Sequence, residues 1–348
     1  MVEYLDGGRI QGSSTLTVPP AKTSWKELDR VTLGSTGDTL DTSTFTAKDN
    51  IMFQFHILRP SSGDQNIRIR FNGDSGSNYS ERYSLNGGTD ATATSQANIA
   101  LHSGVVNENF GCFTFVNTAS KEKLCIGHVT GSNADGAGNA PSSREQIFKW
   151  ANTSDQVTRI EIVNTSTGDF EAGSELVVLG CDNDEADGGT PYWERLADFT
   201  QTTAGDAMDT GTFTSKKYLW IQVHEIADGA LDMNYLRFNA DSGNNYSFRK
   251  ANNGAASDTN TSISGVLYAT HNGSVDHYAE FFIVNKSDKE KLITGTCTDS
   301  NSNNQEPRRK EFTSKWVNTS SQITSVQTAN GGSGNIGVGS RNTVWGAN

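Results

Sequence analysis

Two short stretches carry side chains whose types and spacing could do chemistry. Asn72, Asp74, Gly76 and Asn78 alternate along one stretch, and Asn239, Asp241, Gly243 and Asn245 alternate along another. Oxygen ligands at every second position are what a calcium-binding loop uses. The same residues also build turns, in which Asn and Asp side chains cap backbone N–H groups and Gly supplies a positive φ. No bidentate Glu follows at the calcium-loop spacing, so the turn carries more weight and calcium stays open as the alternative. Tyr79 and Tyr246 follow directly. They are expected to close the loop against the core rather than stack on a sugar.

Other candidates are thinner. His56 and His224 hold equivalent places on the polar-alternating side of two strands, and a surface or inter-sheet hydrogen bond is expected of each. A metal would want more His or Cys in pattern around them. Gly332-Ser333-Gly334-Asn335-Ile336-Gly337 fits the dinucleotide pattern Gly-x-Gly-x-x-Gly, but no strand–helix unit surrounds it, so it is read as a chance match. There is no Gly-x-Ser-x-Gly elbow, and no carboxylate pair recurs in an apolar frame. The chain is therefore expected not to be an enzyme and to need no cofactor, calcium excepted. Tyr218, just before the strand 219–223, and Trp220, within it, are the candidates for an aromatic glycan platform, although the matching positions of the first copy are Asn50 and Met52. Cys112 and Cys125 would face each other if 112–117 and 120–125 form a hairpin. Their counterparts are Glu280 and Ile293, so a disulfide is not required and buried free thiols are expected.

The elements that position these residues come from a duplication. Arg70-Phe71-Asn72-Gly73-Asp74-Ser75-Gly76-Ser77-Asn78-Tyr79-Ser80 returns as Arg237-Phe238-Asn239-Ala240-Asp241-Ser242-Gly243-Asn244-Asn245-Tyr246-Ser247, 167 positions later. Trp25-Lys26-Glu27-Leu28 answers Trp193-Glu194-Arg195-Leu196, and Lys121-Glu122-Lys123-Leu124 answers Lys289-Glu290-Lys291-Leu292, each 168 apart. Lys149-Trp150 answers Lys315-Trp316 at 166. A period this long is a duplicated domain. It divides the 348 residues into an arm (1–24), a first domain (25–182), a linker (183–190) and a second domain (191–348).

Both copies read as strands. Ile51, Phe53, Phe55 and Ile57 alternate with Met52, Gln54 and His56, and Ile67, Ile69 and Phe71 alternate with Arg68 and Arg70. Such runs, separated by Gly, Asn, Ser and Asp, predict an all-β protein of two tandem antiparallel β-sandwich or jelly-roll domains. The arm has little to make a core, and its Ile10, Leu16 and Val18 are expected to pair with a neighbouring subunit. The linker's acid and glycine content has nothing to bury. The formal charge of −12 disfavours a nucleic-acid partner. No apolar run approaches a membrane span and the first residues lack a signal pattern.

The repeated motif resembles one of virion proteins of tailed viruses. In those, a strand ending in Arg-Phe-Asn-Gly-Asp leads through a small residue, Gly and another small residue to Asn-Tyr-Ser, and the domain closes on a Gly-Ser-containing strand. Here the closing positions are Phe170, Gly173, Ser174 and Gly180, then Ile336, Gly339, Ser340 and Gly346. The resemblance implies a non-enzymatic virion structural protein, on the capsid surface as decoration or cement, or in the tail or fibre. It implies a homo-oligomer, most simply a trimer, in contact with other virion proteins. A carbohydrate- or host-receptor-binding module is the alternative, and a subunit of an extracellular filament is a third reading.

Overall fold

The computed structural model describes residues 23–59, 63–104, 108–183, 190–229, 233–270, 275–300 and 306–348. Ile10, Leu16 and Val18 lie outside the described residues. The first half forms β1 (Lys26–Thr32), β2 (Thr39–Asp41), β3 (Asn50–Ile57), β4 (Gln65–Phe71), β5 (Tyr79–Leu85), β6 (Ala91–Gln96), β7 (Ile99–Gly104), β8 (Asn109–Val116), β9 (Lys123–Gly131), β10 (Ser142–Trp150), β11 (Ile160–Asn164) and β12 (Glu175–Cys181). The second half forms β13 (Glu194–Thr200), β14 (Ala207–Asp209), β15 (Tyr218–Glu225), β16 (Ala227–Asp228), β17 (Met233–Phe238), β18 (Tyr246–Asn252), β19 (Asp258–Ile263), β20 (Val266–Thr270), β21 (His277–Val284), β22 (Lys291–Asp299), β23 (Arg308–Trp316), β24 (Val326–Asn330), β25 (Asn335–Ile336) and β26 (Arg341–Ala347). The protein is all-β and antiparallel, with no helix among the described residues.

Each half is a sandwich. An eight-stranded sheet, β1-β12-β3-β8-β9-β10-β5-β6, covers a four-stranded sheet, β2-β11-β4-β7. The second half repeats the order as β13-β26-β15-β21-β22-β23-β18-β19 over β14-β24-β17-β20, and adds the small ladder β16-β25. Among the described residues no ladder joins the halves. Even the bulges recur, between Glu27 and Asp29 and between Arg195 and Ala197.

Period-two alternation builds the core. In β4, Ile67, Ile69 and Phe71 point inward while Asn66, Arg68 and Arg70 stay half-buried. Phe71 meets Phe53, Phe115, Phe148 and Trp150. Phe238 takes the equivalent place against Tyr246 and Trp316. Gly127 and Gly295 hold matching mid-strand places in β9 and β22. A Cβ there would run into the carbonyl of Cys112 or Glu280 and into the ring of Phe113 or Phe312. The backbone must close on those rings, so only glycine fits.

The hairpin of β8 and β9 leaves its cysteines as the buried free thiols expected, but not in the facing geometry that a disulfide would have needed. Cys112 pairs with His128 and Cys125 with Phe115, so the two thiols do not face each other. Cys125 belongs to the first core and Cys112 to a separate cluster on the other face. All four cysteines are free.

That separate cluster lies between the two halves. Met52, Phe110, Val177 and Leu179 from the outer face of one large sheet pack with Tyr218, Val284, Leu292 and Ala347 from the other. Burying both apolar faces stabilises the contact by roughly 25 cal/mol per Å² of apolar surface. The residues that flank the linker are tied down on both sides. Lys48 donates to Asp182 (2.7 Å), and Tyr192 and Trp193 are buried in the same cluster.

Candidate functional site

The Asn–Asp loops serve as braces. Asn72 and Gly73 adopt positive φ (53° and 69°), as do Asn239 and Ala240 (52° and 57°). Asn72 Oδ1 accepts the N–H groups of Thr158 (2.9 Å) and Arg159 (3.1 Å), and its amide donates to the Gln156 carbonyl (2.8 Å). Asn239 repeats this with Thr324, Ser325 and Gln322. Asp74 accepts from Gly76 N–H (2.8 Å), from the Asn78 amide (2.9 Å) and from the buried indole of Trp150 (2.7 Å). Asp241 does the same with Gly243, Asn245 and Trp316. Burial pushes the Asp74 carboxyl up, but the donors Trp150, Asn78 and Gly76 outweigh it and hold it below its ordinary value. Tyr79 OH accepts the Phe71 N–H (2.9 Å) and donates to the Asp74 carbonyl (3.2 Å), and Tyr246 repeats both contacts. Asn78 and Asn245 thus turn N–H groups, not oxygens, toward the carboxylates, and the Asn72, Asn239, Asp74 and Asp241 side-chain oxygens already accept bonds within the fold.

The concave feature that the geometry does offer is a cleft of about 460 Å³ between the sandwiches. Its lining is built from matched positions of the two copies: Met52 with Trp220, Cys112 with Glu280, Thr114 with Phe282, Ile126 with Thr294, Gly127 with Gly295 and His128 with Thr296. Trp25 completes it. Trp220 stacks on Phe282 (5.8 Å) and on Trp345 (6.1 Å), with Trp193 edge-on at 6.1 Å, so the aromatic wall is rigid.

Burial shifts the titratable groups of the cleft toward their uncharged forms. Burial, helped by the nearby Arg309 charge, lowers His128 to about 4, so the imidazole is uncharged at neutral pH. Burial raises the Glu280 carboxyl, and the Trp220 indole offsets part of this. Burial also raises the Cys112 thiol, which leaves it a poor nucleophile. The cleft therefore offers flat rings, hydroxyls from Thr114, Thr294 and Thr296, and a neutral imidazole.

The aromatic candidates separate. Trp220 lines the cleft, but Tyr218 is fully buried and cannot be an exposed platform, because the first sandwich covers it. Its hydroxyl donates to Glu175 (2.7 Å), which also pairs with Lys217 (2.7 Å) and Arg30 (2.9 Å). Burial pushes the Glu175 carboxyl up, yet Lys217, Thr32 and Tyr218 bring it below its ordinary value. The two histidines differ as well. His224 is exposed, whereas His56 is fully buried at the contact, 3.4 Å from Glu108. Of the surface or inter-sheet placement expected of each, His224 takes the surface one, and His56 is buried where the two sandwiches meet. Trp25, His128, Glu280 and Phe282 were not singled out from the sequence. Their only signal was their match in the duplication, which does not say that the two copies face each other.

No protein-family model matches the chain, and no curated protein does. Among solved structures, domains LG4-5 of the mouse laminin α1 chain align over 95% of this chain and 92% of that one at 11% identity and a TM-score of 0.20. The LG1-3 region of the laminin α2 chain aligns over 90% of this chain and 64% of that one at 8% identity, again with a TM-score of 0.20. At those scores the likeness carries no argument about function. Among the described residues no helix is long and apolar enough to cross a membrane.

Proposed function

We propose that this chain is a non-enzymatic structural protein of a tailed-virus particle, carried on the capsid surface or in the tail or fibre. One observation supports the reading most. The duplicated sandwiches meet through their large sheets, with Tyr218 and Trp193 buried between them, so the pair presents itself as one stiff block. The loops that carry the virion-like motif brace each sandwich and leave its outer surface for contacts. A particle component must hold its shape outside the cell, and a block braced in this way suits that task. The test is to purify particles from the source that expresses the gene and quantify the chain in them. The reading expects a fixed, symmetry-related copy number that co-sediments with filled particles. Recovery of the chain only from the soluble, particle-free fraction would refute it.

The aromatic cleft favours a second reading, a binding module for a neutral sugar or a similar uncharged amphiphile. Trp25, Trp220 and Phe282 supply stacking surfaces and His128 a neutral hydrogen-bonding group. A glycan screen with wild type and Trp220→Ala decides it. Binding that Trp220→Ala abolishes supports the module, and no binding by wild type removes it.

A further inference from the structure

The two sandwiches touch through different ends of equivalent faces. On the second sandwich the covered end holds Val284, Leu292, Glu290, Lys315, Ser247 and Arg249. Glu290 accepts the Gly136 N–H (2.6 Å), Lys315 donates to the Ser132 (3.4 Å) and Ala134 carbonyls, Ser247 to Asn139 (2.9 Å) and Arg249 to Pro141 (2.9 Å). The same six positions of the first sandwich are Val116, Leu124, Glu122, Lys149, Ser80 and Arg82, identical in type at every one. There they are uncovered. Val116 is 59% exposed against 1% for Val284, and Leu124 is 65% exposed against 0% for Leu292. A groove of about 490 Å³ runs across this open end, between Arg82, Leu124, Ile126, Ile147 and Lys149.

The opposite ends mirror this. On the first sandwich Phe110 is buried against Tyr218 (6.4 Å between ring centroids), and Thr130 donates to the Ile293 carbonyl (2.9 Å). Their counterparts Tyr278 and Thr298, together with His224 and Arg341, are exposed on the second sandwich. Each chain thus leaves one docking end uncovered on each sandwich. The charges fit as well. The internal contact pairs Glu175 with Lys217. The uncovered counterparts are Arg341 and Asp49, again of opposite sign but reversed. Arg341 keeps a local partner in Asp198, as Glu175 keeps Arg30.

We propose that the open end of the first sandwich binds the open end of the second sandwich of another copy of this chain, head to tail, repeating the internal contact. Such a heterologous contact closes into a ring or runs on as a filament. An exposed apolar row, edged by charged side chains whose local pairs lie at the surface, is what an interface leaves bare in the free subunit. A face-to-face contact of the Leu124 end with itself would bring Arg82 and Lys149 toward their own copies and would not bring Asp49 to Arg341. The proposal goes beyond the particle reading and does not depend on it.

Sedimentation velocity of the full chain over a concentration series tests it. The wild type is expected to grow beyond a dimer as concentration rises. Leu124→Asp on one end, and Tyr278→Asp or Arg341→Glu on the other, should each weaken association by roughly tenfold or more. An equimolar mixture of Leu124→Asp and Tyr278→Asp keeps one good end on each chain and should stop at a 1:1 dimer. Adding Asp49→Arg to Arg341→Glu in one chain should restore growth. These positions are partly or fully exposed, so Leu124→Asp and Tyr278→Asp should leave melting unchanged. Arg341→Glu, which gives up the pair with Asp198, is compared with Arg341→Gln, and Arg82→Glu replaces Leu124→Asp if that variant melts early. A wild type that stays monomeric throughout overturns the proposal. So does a dimer that Leu124→Asp abolishes but Tyr278→Asp and Arg341→Glu leave intact, which would be the self-contact of one face.

Discussion

Replacing Asp74 by Ala tests what the repeated loop is for. The carboxylate holds three donors, of which the indole N–H of Trp150 matters most, because that ring is only 1% exposed. Removing the acceptor leaves a buried donor unpaired, at a cost of about 1–3 kcal/mol. Loss of the turn bonds to Gly76 and Asn78 adds to this, so a total of about 2–4 kcal/mol is expected. Asp241→Ala should cost the same in the second sandwich, where Trp316 is the donor. Urea unfolding followed by tryptophan fluorescence measures both. Because the Asp74 carboxyl sits below its ordinary value when folded, its stabilisation is present above the unfolded pKa and is lost as pH falls through the folded one. The wild-type to Asp74→Ala difference should therefore shrink below about pH 4. Repeating the measurement with excess calcium and with chelator separates brace from metal site. A change under 0.5 kcal/mol for Asp74→Ala, or a wild type markedly stabilised by calcium, would refute the brace.

Three further outcomes follow from the same structure. Phe71→Ala and Phe238→Ala should each cost about 3–5 kcal/mol in denaturant unfolding, since both rings are fully buried at equivalent places. Ala240 holds a positive φ of 57° where the first copy has Gly73, so Ala240→Gly should raise stability by about 1 kcal/mol in the same assay. Burial raises Glu225 to about 7, against the bonds from Tyr268 and Asn234 that lower it. The native state thus keeps a proton that the unfolded chain loses above about 4.5, and stability falls as pH rises from there to about 7. Glu225→Gln should remove this slope, on the order of 3 kcal/mol, when melting is compared with wild type across that window.

Much of the fold was legible because a duplicated chain prints its own register. The alternation in 51–57 and 67–71 marked inward strands, and the 167-residue match put Phe71 and Phe238 in equivalent places. The closure of the loop by Tyr79 followed from local chemistry. What stayed hidden was which outer face is covered. Val116 and Val284 are the same residue in the same local sequence, yet one is exposed and the other buried. The difference comes from the other sandwich, and no local pattern carries it. For the same reason Tyr218 read as an exposed ring, and His56, read as a surface or inter-sheet residue, is buried against the other sandwich. Strand β10 was masked by inward polar side chains, because Arg144 and Gln146 bury themselves on Glu81 and break the alternation.

The central claim is that the two sandwiches form one stiff block through their large sheets. Small-angle X-ray scattering of the chain at low concentration tests it most directly. The account predicts a single compact particle whose distance distribution has one maximum. It also predicts that Leu292→Asp, which places a charge in the buried contact, opens that particle into two separated lobes. A wild type that already scatters as two lobes on a flexible tether would contradict it.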